Sequence, residues 1–200
     1  MQTQAIKRSF VFGNGRTRLN IDFDEVRPYG LIYACNAVYR EYKPDHLIAV
    51  DHKMLQEICK SNFHLTTPVW TYNLTYKHNF KQLNFFEEPL GWSSGPSALY
   101  LAQTHKPNEI YLFGFDFEGL NGKLNNVFAN TENYKRSTDP ATYHLNWLKQ
   151  TEKIIKTHSN IKFVRVTIPN FYETKFKYDN YFQIYYDDFR KIMSEWQKIR

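Results

Sequence analysis

The sequence of 200 residues has only two cysteines, Cys35 and Cys59, and their spacing matches neither a CxxC pair nor a zinc site. We therefore expect two buried free thiols in a reducing compartment. No apolar run reaches the roughly 20 residues that a transmembrane helix needs. Residues 1–8 are polar and lack the apolar core of a signal peptide. These absences predict a cytoplasmic protein without a membrane span.

Several motifs with a specific chemistry are also missing. There is no GxGxxG or Walker loop, so neither a dinucleotide site nor a P-loop is supported. No GxSxG elbow surrounds a serine. The seven histidines show no HxH or HExxH spacing, and no predicted strand ends in a DxD pair. The sequence therefore predicts no metal site.

Aromatic residues and positive charge are abundant instead. The chain has 15 Tyr, 16 Phe and 4 Trp, and its formal net charge is +6. Aromatic rings add core mass but also stack on bases and sugars, and composition does not separate these uses. The charge favours an anionic partner such as a nucleotide, a nucleic acid or an acidic sugar. The alternative is a basic protein whose lysines are spread over its surface.

Short apolar runs alternate with helical patterns along the chain, which predicts βαβ units. We expect an α/β, Rossmann-like domain over residues 1–200, with a mostly parallel central sheet flanked by helices. Residues 118–143 are rich in Asn and Gly and predict an active-site loop or lid. The predicted strands are residues 9–12, 30–35, 47–50, 68–72, 110–113 and 161–166. The predicted helices are residues 52–60, 94–104, 139–158 and 181–198.

The carboxyl ends of parallel strands share one edge of a sheet, where ligands of such folds bind. Gly13, Asn14 and Gly15 follow the first strand. The glycines allow a backbone approach to a phosphate and predict exposed N–H groups, and Arg16 adds charge. The alternative is an ordinary glycine turn.

Other polar residues follow later strands. Asn36 and Asp51 end the second and third strands and are placed to read a ribose or a base, although Asp51 equally fits a helix cap. Asp116 follows the 110–113 strand. Two serines and a glycine begin a predicted helix, whose free N–H groups attract anions; helix capping is the alternative for the serines. These three residues are Ser93, Ser94 and Gly95.

A further cluster surrounds the predicted start of the 139–158 helix. His144 is placed in its first turns, where an imidazole can act as a general base. The phenol of Tyr134 can stabilise a departing phosphate, together with Lys135 and Arg136. The alternative is a surface helix with an incidental histidine.

Four stretches occur in the order FGNGRT (residues 12–17), YACNAVY (33–39), SSGPSALYLA (93–102) and NEIYLFGFDF (108–117). This order, over residues 9–157, resembles the Cst-type bacterial sialyltransferases, which are metal-independent glycosyltransferases. It is also similar to the related Rossmann-like family of the archaeal hydroxymethylpterin pyrophosphokinases.

The resemblance implies an enzyme that uses a nucleotide-sugar donor, CMP-linked in the sialyltransferases, and requires no cofactor. Asn14, Asn36 and Ser94 match donor-binding residues of that family. His144 matches its catalytic base, and either Tyr134 or Tyr143 is the loose match for one of two tyrosines that help the phosphate leave. The family's GNGPS reads GNGRT here, and no tyrosine stands at the first tyrosine position, residues 126–128.

Three functions remain open from the sequence. The first is a metal-independent glycosyltransferase whose acceptor is a glycan, a nucleotide or a nucleic acid. The second is a pyrophosphokinase-like phosphotransferase, which needs Mg²⁺ and a carboxylate such as that of Asp116. The third is a binder of nucleotides or nucleic acid without catalysis. Aromatic residues near the carboxyl terminus also suit a homo-oligomer interface.

Overall fold

The computed structural model describes residues 7–88 and 90–199. Its centre is an eight-stranded sheet in which all described pairings are parallel. The strands are β1 (Arg8–Phe12), β2 (Gly30–Cys35), β3 (His46–Ile48), β4 (Val69–Thr71), β5 (Asn84–Phe85), β6 (Glu109–Phe113), β7 (Lys162–Thr167) and β8 (Tyr181–Tyr185). The helices are α1 (Phe23–Val26), α2 (His52–Lys60), α3 (Ser94–Thr104), α4 (Leu145–Thr157) and α5 (Tyr186–Ile199).

The strand order is β5-β4-β3-β2-β1-β6-β7-β8. The chain runs outward from β1 to β5, returns to the middle and continues from β6 to β8 on the other side. The strand order therefore reverses between β1 and β6, and a crevice opens there at the carboxyl edge. The predicted α/β fold with a parallel sheet and flanking helices is confirmed.

Alternating residues of β1 separate the core into two layers, because successive side chains of a strand point to opposite faces. Phe10 and Phe12 pack with Phe189 and Trp196 of α5 on one face. Val11 packs on the other face with apolar residues of α3 and α4. Both faces of the sheet are thus covered, which explains the nearly continuous apolar strands in the sequence.

Two predicted element boundaries are wrong. The helix predicted from residue 139 begins at Leu145. Pro140 instead forms an isolated bridge with Lys123, and the N–H of Leu124 donates to the carbonyl of Asp139 at 2.9 Å. The polar stretch before Leu145 is therefore held by the 118–143 loop and cannot join the helix.

The second error concerns the carboxyl-terminal segment. The helix predicted over residues 181–198 is a strand, β8, followed by α5. The β8 sequence, YFQIY, is rich in aromatic and β-branched residues, which favour strands, and it pairs in parallel with β7. A high content of aromatic residues in this segment is therefore compatible with an edge strand as well as with a helix.

The structure also bears on the predicted cysteine thiols and on the predicted lack of a membrane span. Cys35 and Cys59 are both free and buried, as predicted. Within the part of the chain that the structure describes, no helix has the length and apolar character to cross a membrane. The compartment stays a prediction.

Candidate active site

A cavity of about 580 Å³ opens at the carboxyl edge of the sheet, around the reversal point between β1 and β6. This volume lies within the range of small-molecule sites. Eleven residues singled out from the sequence line it: Gly13, Asn14, Gly15, Asn36, Asp51, Ser93, Ser94, Gly95, Asp116, Tyr134 and Lys135. Arg16 and His144 do not line it. Residues more than 120 positions apart in sequence thus converge on one hollow.

The Gly13–Gly15 turn has a structural explanation. The N–H of Gly13 donates to the carbonyl of Phe113 at 2.8 Å, and that of Gly15 to the carbonyl of Gly114 at 3.0 Å. The N–H groups of Gly13 and Gly15 are therefore already used, while binding of a phosphate by this loop stays a prediction. A Cβ on Gly13 would lie 2.7 Å from the Gly114 carbonyl oxygen, so glycine is required for the close approach of the two loops.

Arg16 also differs from its predicted role. It is exposed, and its N–H donates to Oδ1 of Asn125 at 3.0 Å. The sequence placed its charge beside a phosphate, but the structure places the residue outside the cavity lining of the described chain. Lys135 from the 118–143 loop lines the cavity instead.

Asp116 ties three segments together. Its buried carboxylate accepts hydrogen bonds from the backbone N–H of Thr17 at 3.1 Å, from the Thr17 hydroxyl, and from Nδ2 of Asn125 at 2.9 Å. Thr17 follows the β1 turn, and Asn125 belongs to the 118–143 loop. Because these donors use both carboxylate oxygens, Asp116 acts as an anchor of the cavity wall.

Tyr134 brings its phenol to the centre of the site. Its oxygen accepts from Nδ2 of Asn14 at 3.3 Å and from the N–H of Ala37 at 3.4 Å. Burial raises the pKa of Tyr134 far above its usual value. The phenol therefore keeps its proton and is a donor for an anionic oxygen. Oδ1 of Asn14 is buried without a hydrogen-bond partner among the described residues.

Asn36 and Ser94 form a second polar group in the cavity. Asn36 has a left-handed backbone with φ of 56°, which asparagine tolerates well. The Ser94 hydroxyl donates to Oδ1 of Asn36 at 2.8 Å and accepts from the N–H of Val50 at 3.4 Å. The Asn36 side chain after β2 and the Val50 backbone after β3 are thus joined to the start of α3.

The amino terminus of α3 faces the same cavity. The N–H of Ser97 donates to the carbonyl of Ser93 at 3.0 Å, and Ser93 makes no side-chain capping bond. The N–H groups of Ser94 and Gly95 have no hydrogen-bond partner within residues 7–88 and 90–199. Free N–H groups at a helix start carry partial positive charge, so this end of α3 suits an anion.

Asp51 precedes α2 but makes no side-chain capping bond to it. Asp51 is exposed, and it lines both the main cavity and an adjoining hollow of about 320 Å³. Burial is the main reason that the pKa of Tyr72 is raised, and the charge of Asp51 raises it further. The carboxylate therefore acts on groups inside the cavity.

His144 lies at the margin of the site. The sequence placed His144 in the first turns of the helix. In the structure it is the residue immediately before α4. Its ring meets the Tyr172 ring edge-on, with centroids 5.8 Å apart. Its sequence neighbours Thr142 and Trp147 line the cavity. The imidazole is thus close to the cavity but outside the described lining.

Sequence reasoning missed the residues that hold the 118–143 loop. Both Nε and Nη2 of Arg40 donate to the Glu57 carboxylate, at 2.6 and 2.7 Å, while Nη1 donates to the Thr131 hydroxyl at 2.8 Å. Nδ2 of Asn133 donates to the same Glu57. These contacts fix the loop that carries Tyr134. No local sequence motif predicts them, because their partners are far apart in the sequence.

A buried arginine under the cavity wall was missed as well. Arg165 of β7 is 1% exposed. Its Nε donates to the carbonyl of Phe115 at 2.8 Å, and its Nη1 to the carbonyl of Tyr172 at 2.7 Å. Phe115 lines the cavity and Tyr172 contacts His144. Arg165 thereby joins the cavity wall to the segment beside His144.

A search for metal sites among residues 7–88 and 90–199 finds no group of three or more His, Cys, Asp or Glu side chains arranged to hold an ion. The comparisons with known sequences give no match either: neither a protein-family model nor a curated protein matches the chain.

Several solved structures that share this fold are glycosyltransferases from bacteria. The sialyltransferase CstII from Campylobacter jejuni, solved with cytidine-5'-monophosphate, is 18% identical with a TM-score of 0.57, and the match covers 84% of this chain and 83% of that chain. The monofunctional alpha-2,3-sialyltransferase Cst-I from Campylobacter jejuni is 14% identical with a TM-score of 0.59, and the match covers 100% of this chain and 98% of that one.

A third similar structure is the MAf glycosyltransferase from Magnetospirillum magneticum AMB-1, at 14% identity and a TM-score of 0.57. The match covers 92% of this chain but 34% of that chain. The resemblance to the Cst-type sialyltransferases is confirmed in the fold. At these identities the likeness concerns the fold alone, and the roles of individual residues stay predictions.

Proposed function

We propose that this protein is a glycosyltransferase-like enzyme that transfers a sugar from a nucleotide-linked donor without a metal ion. The observation that carries the proposal is the convergence of Asn14, Asn36, Ser94 and Tyr134 on one cavity at the reversal point of a parallel sheet. A nucleotide-binding fold uses this point for its ligand. The fold shared with the sialyltransferases CstII and Cst-I supports the same reaction class.

The donor phosphate is assigned to the space between Tyr134 and the start of α3. The Tyr134 phenol offers a proton, and Ser94 and Gly95 offer free backbone N–H groups. Lys135 adds a positive charge to the lining. These donors point to where negative charge develops as the phosphate leaves, which is the arrangement that accelerates such a transfer.

The proposed reaction is a direct displacement at the anomeric carbon. The acceptor hydroxyl oxygen attacks the anomeric carbon and forms the new C–O bond, while the bond from that carbon to the phosphate oxygen breaks. His144 takes the proton of the hydroxyl, and the nucleoside phosphate departs with the electron pair of the broken bond. In this proposal the acceptor binds at the cavity margin, with its hydroxyl within hydrogen-bond distance of His144.

A two-step experiment tests the proposal. Thermal unfolding is first measured with CMP, UDP, GDP and ADP and with their sugars, because a ligand that binds only the folded chain raises its melting temperature. Donor hydrolysis is then measured in EDTA. We expect one base to stabilise the protein and its sugar donor to be hydrolysed. A chain that no nucleotide stabilises would contradict the proposal.

Two substitutions test the assigned roles. Tyr134→Phe should lower kcat roughly 100-fold, as loss of a single donor to a developing charge does. His144→Ala should lower it by roughly 100-fold or more. Tyr185→Phe and His78→Ala are the matched controls, since both side chains are exposed and outside the lining. Nucleotide binding without turnover, unchanged by His144→Ala, would indicate a binder instead of an enzyme.

The pyrophosphokinase-like alternative has less support at the site. Its proposed metal-binding carboxylate, Asp116, already accepts from Thr17 and Asn125 through both oxygens. The acceptor and the oligomeric state are untested; Phe182 and Tyr185 of β8 are the exposed aromatic residues that a homo-oligomer could bury.

A further inference from the structure

The cavity lining is acidic although the whole chain is basic. The net charge of the sequence is +6. Yet the charged residues among the described lining of the main cavity are three carboxylates, from Asp51, Asp116 and Glu118, and the ammonium of Lys135. The positive potential that a phosphate needs is local to Tyr134 and the start of α3. Other parts of the site carry negative charge.

Among these carboxylates, Asp51 is the one adjacent in sequence to Val50, whose N–H contacts Ser94 at the start of α3. The oxygens of Asp116 are already occupied by Thr17 and Asn125. The Asp51 carboxylate, in contrast, has neither a hydrogen bond nor an ion pair with any residue that the structure describes. It lines both the main cavity and the adjoining hollow, where His52 and Lys53 are the flanking basic residues. Its acceptor capacity is therefore free.

The position of Asp51 is fixed by the backbone around it. The N–H of Val50 donates to the Ser94 hydroxyl at 3.4 Å, and the Asp51 carbonyl accepts from the N–H of Leu55 at 2.9 Å in the first turn of α2. The backbone before Asp51 thus contacts Ser94, and the Asp51 side chain lines the same cavity as Asn36, Ser94 and Gly95. A sugar attached to a phosphate at α3 comes within range of this charge.

We propose that Asp51 makes the site selective for donors whose sugar carries no carboxylate. This proposal rests on the proposed function. The hydroxyl or amide groups of a neutral sugar donate hydrogen bonds to the free carboxylate, whereas an acidic sugar brings a second negative charge to it. The protein therefore shares its fold with sialyltransferases but takes a neutral sugar.

Matched donors provide the test, because they differ in one charge. On the base that stabilises the protein, a neutral hexose donor is compared with its uronate, for example UDP-glucose with UDP-glucuronate. For CMP, the methyl ester of CMP-sialic acid is compared with the acid. Dissociation constants are measured by calorimetry in EDTA. We expect the neutral form to bind at least roughly tenfold more tightly, which corresponds to about 1.4 kcal/mol.

The Asp51→Asn variant identifies the residue responsible. It keeps the size of the side chain and removes the charge, so the ratio between the two donors should fall to near one. Binding of the bare nucleotide to the same variant is measured alongside, because it reports a role of Asp51 at the ribose or the base. Asp187→Asn is the control for a lost charge, because Asp187 is exposed on α5 and outside the cavity lining; it should keep the wild-type ratio. Unchanged melting temperatures verify that the variants fold.

The outcomes separate this inference from the proposed function. If the wild-type protein binds a nucleotide but takes the acidic donor as tightly as the neutral one, the inference fails and the proposed function stands. A wild-type preference that survives in Asp51→Asn also overturns it. Weaker binding of the bare nucleotide in that variant, with the ratio unchanged, places Asp51 at the ribose and overturns it as well. If no nucleotide binds, the proposed function itself fails.

Discussion

Replacing Asp116 by alanine removes the acceptor for three donors, the N–H and hydroxyl of Thr17 and Nδ2 of Asn125. The site is 4% exposed, so water cannot replace the carboxylate without rearrangement. Hydrogen bonds to a charged group contribute about 1.5 to 3 kcal/mol each, and buried donors left unpaired cost similar amounts. Since the three bonds share one residue and are not additive, we expect a loss of about 3 to 5 kcal/mol.

The matched variant is Asp116→Asn. An amide keeps an oxygen for Thr17 N–H and Asn125 and can donate to the Thr17 hydroxyl, so we expect less than half of the alanine effect. Urea unfolding followed by tyrosine and tryptophan fluorescence gives both values. If alanine and asparagine destabilise equally, or if alanine has no effect, the anchoring role of Asp116 is refuted.

Three further predictions concern other parts of the fold. Gly13→Ala should destabilise by about 2 to 4 kcal/mol in urea, because its Cβ would lie 2.7 Å from a backbone oxygen, whereas Gly95→Ala, with 3.8 Å to its nearest neighbour, should be tolerated. Burial lowers the pKa of His46 to about 4, so below roughly pH 6.5 the unfolded chain binds more protons than the folded protein. The free energy of unfolding should therefore fall by on the order of 2 kcal/mol as the pH drops towards 4. The His46→Gln variant should show a smaller fall over the same pH range. Burial raises the pKa of Cys35 to about 12 and that of Cys59 to about 11, so both thiols should react with a disulfide reagent at pH 8 only after unfolding.

The residues at the ends of strands were predictable from the sequence because they follow short apolar runs. Asn36, Asp51 and Asp116 each come soon after such a run, and parallel pairing then brings them to one edge. The helix over Ser94–Thr104 was predicted with its observed bounds, since Pro96 marks a first turn. Local patterns thus carried the sheet and the location of the cavity.

What the sequence did not reveal depends on contacts between distant residues. The N–H groups of Gly13 and Gly15 donate to Phe113 at the end of β6 and to Gly114 directly after it, about 100 positions away. Glycine spacing does not indicate which partner these groups find. The start of α4 is delayed because Pro140 pairs with Lys123. His144 therefore lies before the helix rather than within it.

The 118–143 loop is already fastened by Arg40 and Glu57 before any ligand arrives. The entropy of ordering its Thr131–Asn133 segment is lost when the chain folds and not when substrate binds. A ligand therefore binds to a loop that is already ordered, so its affinity depends on the contacts it makes and includes no cost of ordering this segment. Substitutions in the 118–143 loop can then change which substrate binds without changing the sheet that supports the loop.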